Sequence, residues 1–119
     1  MIVAGIGCRS GCPAREIVAV VEAAQAQAGC RVDKLAAPAL KKDEAGLIRA
    51  ARWLRIELDL VESAAMQAVQ ARCPTASPRA LAATGFASVA EAAALASSGG
   101  TLLLARIAHA RATCALASA

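Results

Sequence analysis

Large apolar side chains first gather at Ile2, Val3 and Ile6, an uncharged run that predicts a buried strand over Met1 to Gly7. Gly5, Gly7 and Gly11 frame Cys8-Arg9-Ser10, so that strand is expected to end in a tight turn. Pro13 suits the first position of a helix, where its missing N–H costs nothing. From there Ile17, Val21, Ala24 and Ala28 recur at helical intervals, which predicts a helix from Pro13 to Ala28 that Gly29 stops.

A second unit follows with a weaker pattern. Val32 and Leu35 anchor a short strand over Arg31 to Ala36, and Pro38 with Lys41-Lys42-Asp43-Glu44 forms the loop behind it. The next helix buries Leu47, Ile48, Ala51 and Leu54, with Asp43 and Glu44 in its first turn, where carboxylates meet the positive end of the dipole. Ile56, Leu58 and Leu60 alternate with Glu57 and Asp59, the period of a half-exposed strand. An alanine-rich helix over Ser63 to Ala71 leads into a loop at Cys73 to Pro78. Ser77 and Pro78 occupy the N-cap and first position of a short helix ending near Gly85.

Ser88-Val89-Ala90-Glu91 is a capping box, in which the Ser oxygen and the Glu carboxylate each satisfy a free backbone N–H, and it opens a helix reaching about Ser97. Gly99 and Gly100 break that helix. Leu102 to Ile107 and Thr113 to Ala117 then read as two late strands joined by a turn at Ala108 to Arg111. The sum is one α/β domain over residues 1–119, a mostly parallel or mixed sheet of four to five strands flanked by helices.

Composition adjusts this picture. Hydrophobic residues make up 58% of the chain, but 34 of its 119 residues are alanine, which leaves about 35 larger apolar side chains. That supplies one core and not two. The alanines are read as a compositional bias without functional weight. Arg106 and His109 interrupt the only long apolar run near the C-terminus, so no stretch reaches the roughly 20 residues of a bilayer span and no membrane is expected. Nor does a basic stretch precede a hydrophobic segment at the start, as a secretory signal requires.

The net charge is +4 and the isoelectric point is near 9.1. The basic residues are dispersed, and Trp53 and Phe86 are the only aromatics. Surfaces for single-stranded nucleic acid need stacking platforms beside the charge, so nucleic acid is not the expected partner. An anionic small molecule fits better. The five cysteines are odd in number and irregularly spaced, and Cys8 and Cys12 do not form the C-x-x-C of redox and zinc sites. They read as reduced thiols of a cytoplasmic protein, with neither a metal nor an organic cofactor expected.

The strongest candidate site is the loop Gly7-Cys8-Arg9-Ser10-Gly11. A strand, a Gly-rich turn and a helix together aim backbone N–H groups at one point, which can cradle a phosphate or a carboxylate. The spacing G-x-G-x-x-x-G lacks the lysine of a nucleotide loop, so the turn is either an anion nest with Arg9 as its arm or a purely structural bend. Lys41 and Glu44, three apart before a helix, are the candidate catalytic pair, a general base beside an oxyanion stabiliser, or else solvated surface charges. Cys8 is a conceivable nucleophile, with His109 the one histidine available as its base. Thr113 offers a hydroxyl to a ligand or to a neighbouring strand.

Gly5-Ile6-Gly7-Cys8-Arg9-Ser10-Gly11 with Glu16-Ile17, then Leu40-Lys41-Lys42-Asp43-Glu44-Ala45-Gly46-Leu47, then Ser88-Val89-Ala90-Glu91-Ala92-Ala93-Ala94-Leu95, and finally Thr113-Cys114-Ala115 occur in this order along the whole chain. Together they resemble the small domain shared by the cobalamin biosynthesis protein CobE and the C-terminal part of CbiG. The resemblance implies a role in corrin-ring maturation. The two-domain relative is a cobalt-precorrin-5A hydrolase that opens a lactone and releases acetaldehyde. The implied ligand is an anionic tetrapyrrole, a precorrin, and other enzymes of the pathway are implied partners. Gly7, Cys8, Arg9 and Gly11 fall on the family's first block, and Lys41 and Glu44 on its Lys and Glu positions. The chain departs from the pattern at Ser10, where relatives often carry a basic residue, at Cys12, and at Arg106, where a lysine precedes the last hairpin. Two readings remain open: an enzyme that hydrolyses a precorrin lactone, and a non-catalytic protein that binds and delivers a corrinoid intermediate.

Overall fold

A computed structural model describes all residues, 1–119. Five strands form one mixed sheet in the order β3-β2-β1-β5-β4, where β1 is Ile2–Cys8, β2 is Lys34–Pro38, β3 is Glu57–Val61, β4 is Thr101–His109 and β5 is Ala112–Ser118. β1, β2 and β3 run parallel, and the β4–β5 hairpin joins antiparallel to β1. The five helices are α1 (Ala14–Ala28), α2 (Ala45–Leu54), α3 (Ser63–Ala68), α4 (Pro78–Thr84) and α5 (Val89–Ser98).

The sheet is covered on both faces. On one, α1 and α2 set Ile17, Val21 and Leu47 against Ile6, Leu35 and Leu116. On the other, α5 lies with Ala92 and Ala93 against Val3 and Ala36, and Met66 of α3 and Phe86 close that side. The alanines that composition left without a role are structural here. A Cβ on Gly5 would stand 2.0 Å from Ala90 O and 2.5 Å from Ala94 N, so the α5 backbone rests directly on β1. No side chain fits on β1 at that contact.

Several expected details shift. The second strand starts at Lys34 instead of Arg31, because Val32 N–H is already held by the Gln25 side chain at 2.8 Å and Asp33 N–H by Ile2 O at 2.8 Å. Pro13 is the N-cap of α1 and not its first helical residue. Ile48 is 39% exposed, and Ala50 takes the buried position of α2. Asp43 and Glu44 precede α2, with Glu44 at its N-cap. The β4–β5 turn is confined to Ala110 and Arg111, and Ala110 takes a φ of 53°. No single helix is long and apolar enough to cross a membrane.

Candidate functional site

β1 and β2 are parallel neighbours, so the loops after Cys8 and after Pro38 leave the same edge of the sheet. The antiparallel register places Thr113 opposite Gly7 and Ala112 opposite Cys8, which brings the β4–β5 hairpin to that edge as well. A cleft of about 600 Å³ opens there, with α4 as its far wall. It lies outside the carboxyl ends of the parallel strands, beside the point where strand order reverses between β1 and β5.

Two contacts lock the first loop to the second. The turn Arg9 to Cys12 closes with Cys12 N–H on Arg9 O at 3.1 Å, and Gly11 holds a φ of +79° at its third position, where an L side chain is strained. Gly11 N–H then donates to Glu44 Oε2 at 3.1 Å. Behind it, a Cβ on Gly46 would sit 2.0 Å from Cys12 O, so α2 begins in backbone contact with the loop.

This geometry changes the chemistry expected of the loop. Arg9 N–H donates to Arg111 O at 3.4 Å, Gly11 N–H to Glu44, and Cys12 N–H to Arg9 O. Those three donors serve the fold, whereas Ser10 N–H has no partner within the protein and Ser10 lines the cleft. Charge is supplied by side chains: Arg9, Lys41 (in the short 3₁₀ turn Ala39–Lys41), Arg79 of α4, Arg106 of β4 and Arg111 all line the cleft, and no carboxylate does. Arg111 is committed to Glu16, which it grips from Nε at 3.1 Å and Nη2 at 2.7 Å. This grip holds the Glu16 carboxyl down at about 2. The only other ion pair joins Lys34 to Asp59, so Arg9, Lys41, Arg79 and Arg106 face the cleft without an acidic partner. Val89, in the first turn of α5, adds the positive end of that helix. The floor is apolar, with Ile6, Leu40, Phe86 and Val89.

Lys41 lines the cleft, the Glu44 carboxylate accepts from Gly11 N–H, and the charges of both act on the Cys8 thiol. Gly7, Cys8, Arg9, Ser10 and Thr113 also line it, and Thr113 Oγ1 donates to Gly7 O at 3.2 Å. Cys8 is not an activated nucleophile. Burial pushes its thiol up to about 11, although Lys41 pulls the other way. His109 lies two strands away from Cys8 across the ladder, on the order of 10 Å, and cannot serve it as a base. All five cysteines are free thiols.

Arg79, Arg106 and Arg111 escaped the reading of the sequence. Arg79 carried a faint signal, following the Ser77-Pro78 helix start that fixes its place on α4. Ser77 Oγ does cap that helix, accepting from Ala80 N–H at 3.2 Å. Arg106 carried none beyond its place at the family's lysine position, because strict alternation puts it on the face of Leu104. Register shifts between Leu102 and Leu104 and between Leu104 and Ile107 break that alternation, and Leu104 and Ile107 pack toward α1 while Arg106 reaches the cleft.

Comparison with known proteins agrees with this architecture. The sequence model of the family described as Cobalamin synthesis G C-terminus matches residues 2–117. The chain belongs to this family. It is 33% identical over 121 residues to Protein CobE of Sinorhizobium sp, covering 98% of this chain and 79% of that protein. The crystal structure of CobE, a protein from the cobalamin (vitamin B12) biosynthetic pathway, superimposes with a TM-score of 0.91 at 38% identity, covering 98% of this chain and 89% of that one. Cobalamin biosynthesis protein chiG from Agrobacterium tumefaciens gives a TM-score of 0.81 at 42% identity, over 99% of this chain and 98% of that one.

Proposed function

We propose that this CobE/CbiG-family protein binds a carboxylate-rich tetrapyrrole intermediate of cobalamin synthesis in the cleft and delivers it to an enzyme of the pathway. One observation carries the reading: four cations without acidic partners, brought from four separate segments, converge on an apolar floor in a cleft that contains no carboxylate. A precorrin has the matching form, an apolar macrocycle rimmed with acetate and propionate groups. Leu40, Phe86 and Val89 take the ring face. Arg9, Lys41, Arg79 and Arg106 take the rim, with Gly7, Cys8, Ser10 and Thr113 along the side of β1 and β5. Gly11 acts indirectly, by handing its N–H to Glu44.

Delivery is favoured over lactone hydrolysis because no Asp, Glu or His lines the cleft to activate a water. On this reading Lys41 binds and Glu44 braces the loop, and neither acts on a reacting atom. The test is a titration of the purified chain with uroporphyrin, followed by tetrapyrrole absorbance. Saturable binding that weakens with salt is expected. Lys41→Ala should lower affinity about fivefold, the worth of one partly solvated charge-assisted bond of about 1 kcal/mol, and Glu44→Gln should change affinity less. A flat tetrapyrrole titration beside saturable binding of ATP or NAD would overturn the proposal.

A further inference from the structure

Glu91 is fully buried, yet it carries a carboxylate at a position where the neighbouring residues of α5 are alanines. Burying a charge costs several kcal/mol unless hydrogen bonds repay it. Its own helix repays little. Ser88 Oγ accepts from Glu91 N–H at 3.4 Å and the Ser88 hydroxyl also helps hold the carboxylate ionised, but the carboxylate does not take the Ser88 main-chain N–H as a capping box requires. It turns outward to two other segments. Oε1 accepts from Thr75 N–H at 2.9 Å, while Oε2 accepts from Thr75 Oγ1 at 2.7 Å and from Arg106 N–H at 2.9 Å.

Both segments carry a cleft cation. Arg106 sits in the second register shift of β4, where its N–H is released from the ladder and is the one Glu91 takes. Thr75 lies four residues before Arg79, and the stretch between them ends in the Ser77 cap that starts α4. No residue of α4 is buried, so the position of Arg79 depends on what anchors the chain on either side. On one side the anchors are Glu91, through Thr75, and the Ser77 N–H bond to Ala87 O at 3.1 Å; on the other they are Phe86 in the core and Gln70 Nε2 on Gly85 O at 3.2 Å.

We infer that Glu91 is a positioning residue of the ligand cleft: its carboxylate ties the Thr75 loop to the β4 bulge and so sets Arg79 and Arg106 at the spacing that grips the far rim of the ligand. The inference rests on the tetrapyrrole reading above. It assigns a ligand-directed task to a side chain that would never touch the ligand, and a carboxylate that only stabilised α5 would not need partners on two cleft walls.

The experiment is a comparison of uroporphyrin affinity for Glu91→Gln in two backgrounds, the natural chain and an Arg79→Ala/Arg106→Ala chain. The Arg106 bond to Glu91 comes from the main chain, so Arg106→Ala leaves the clasp in place. Expected is a loss of about tenfold in the natural background and less than about twofold in the other, since the substitution then has no cation left to misplace. Thr75→Val removes one of the three bonds and should give a smaller loss, about threefold, with the same background dependence. It serves if Glu91→Gln does not fold. Equal losses in both backgrounds would mean a general stabilising role and overturn the inference, as would a loss in neither. Absence of binding by the unsubstituted chain would overturn the tetrapyrrole reading, and this inference with it.

Discussion

Gly46→Ala inverts the usual effect of its substitution type. Replacing glycine by alanine inside a helix ordinarily gains up to about 1 kcal/mol, and Gly46 lies in the first turn of α2. Here the new Cβ would stand 2.0 Å from Cys12 O, 3.3 Å from Cys12 C and 3.4 Å from Ala14 N. Carbon and carbonyl oxygen approach to about 3.3 Å, so α2 and the first loop must part by roughly 1.3 Å. All three neighbours are backbone atoms and cannot swing aside. The strain costs about 1–3 kcal/mol by comparison with overpacked cores. The parting also stretches the Gly11 N–H bond to Glu44, worth about 1 kcal/mol at an exposed site. After the helical gain is subtracted, the net loss is about 1–3 kcal/mol, a fall in Tm of roughly 4–12 °C. Thermal unfolding by circular dichroism reads this directly, and the same variant should bind uroporphyrin about threefold more weakly, because Arg9 and Lys41 move apart. Gly11→Ala is the control: it meets open space and pays only for its φ of +79°, about 1–2 kcal/mol. A Tm for Gly46→Ala at or above that of the natural chain would refute the account of how the two loops are joined.

Acid should unfold the protein through two carboxyls. Arg111 hydrogen bonds hold Glu16 at about 2; for Glu91, burial raises the carboxyl but the bonds from Arg106, Thr75 and Ser88 together hold it below its ordinary value. Both bind protons more weakly folded than unfolded, so their stabilisation is complete above about pH 4.5 and drains away as pH falls toward 2. Urea midpoints at pH 7, 4 and 3 should decline in that order, less steeply in Glu16→Gln, and a flat profile would count against both assignments. The cysteines act at the other extreme. Burial raises Cys8 to about 11 and Cys114 to about 12, so both should resist iodoacetamide at pH 7.5. Their contribution to stability, present below the ordinary thiol value, should fade as pH climbs through 11; a labelling profile for Cys8 with its inflection below 9 would contradict the burial argument.

Much of the fold was legible because its signals are local. The intervals of Ile17, Val21 and Ala24, the caps at Ser77 and Ser88, and the glycines at 29, 85 and 99, each with positive φ, mark helices without reference to anything distant. The candidate site was legible in part for a related reason: loops after neighbouring parallel strands must share an edge, so Arg9 and Lys41 were bound to meet if β1 and β2 paired. What the pattern hid depends on contacts between segments far apart in the chain. The register shifts of β4 turn Arg106 toward the cleft, and nothing within Leu102 to Ile107 announces them. The partners of Glu91 lie 16 and 15 residues away on either side, so its carboxylate looked like half of a local cap. Glu44 looked like a base beside Lys41 because three-residue spacing suggested one face; in the structure it stands at the N-cap of α2 and its carboxylate takes the Gly11 N–H.

Glycines of the first two blocks sit at close contacts, and on the proposed reading recognition falls to long side chains. A Cβ on Gly5 would strike α5, one on Gly7 would lie 2.5 Å from Thr113 Oγ1, and one on Gly46 would strike Cys12. Gly5 and Gly46 lack side chains so that backbones can touch, and the N–H groups of Arg9, Gly11 and Cys12 are taken up within the fold. The apolar part of the cleft comes from Ile6, Leu40, Phe86 and Val89. On the proposed reading, discrimination among ligands rests with Arg9, Lys41, Arg79 and Arg106, each a flexible chain ending in charge. Such a rim responds more to the number and spacing of carboxylates than to the outline of the ring. A protein that holds successive intermediates of one pathway, alike in their acidic rim and different in their ring substituents, needs that kind of tolerance. An enzyme committed to one lactone would need the opposite, a shaped pocket with a base fixed against the reacting carbon. No Asp, Glu or His lines the cleft, and that is why delivery is the function proposed.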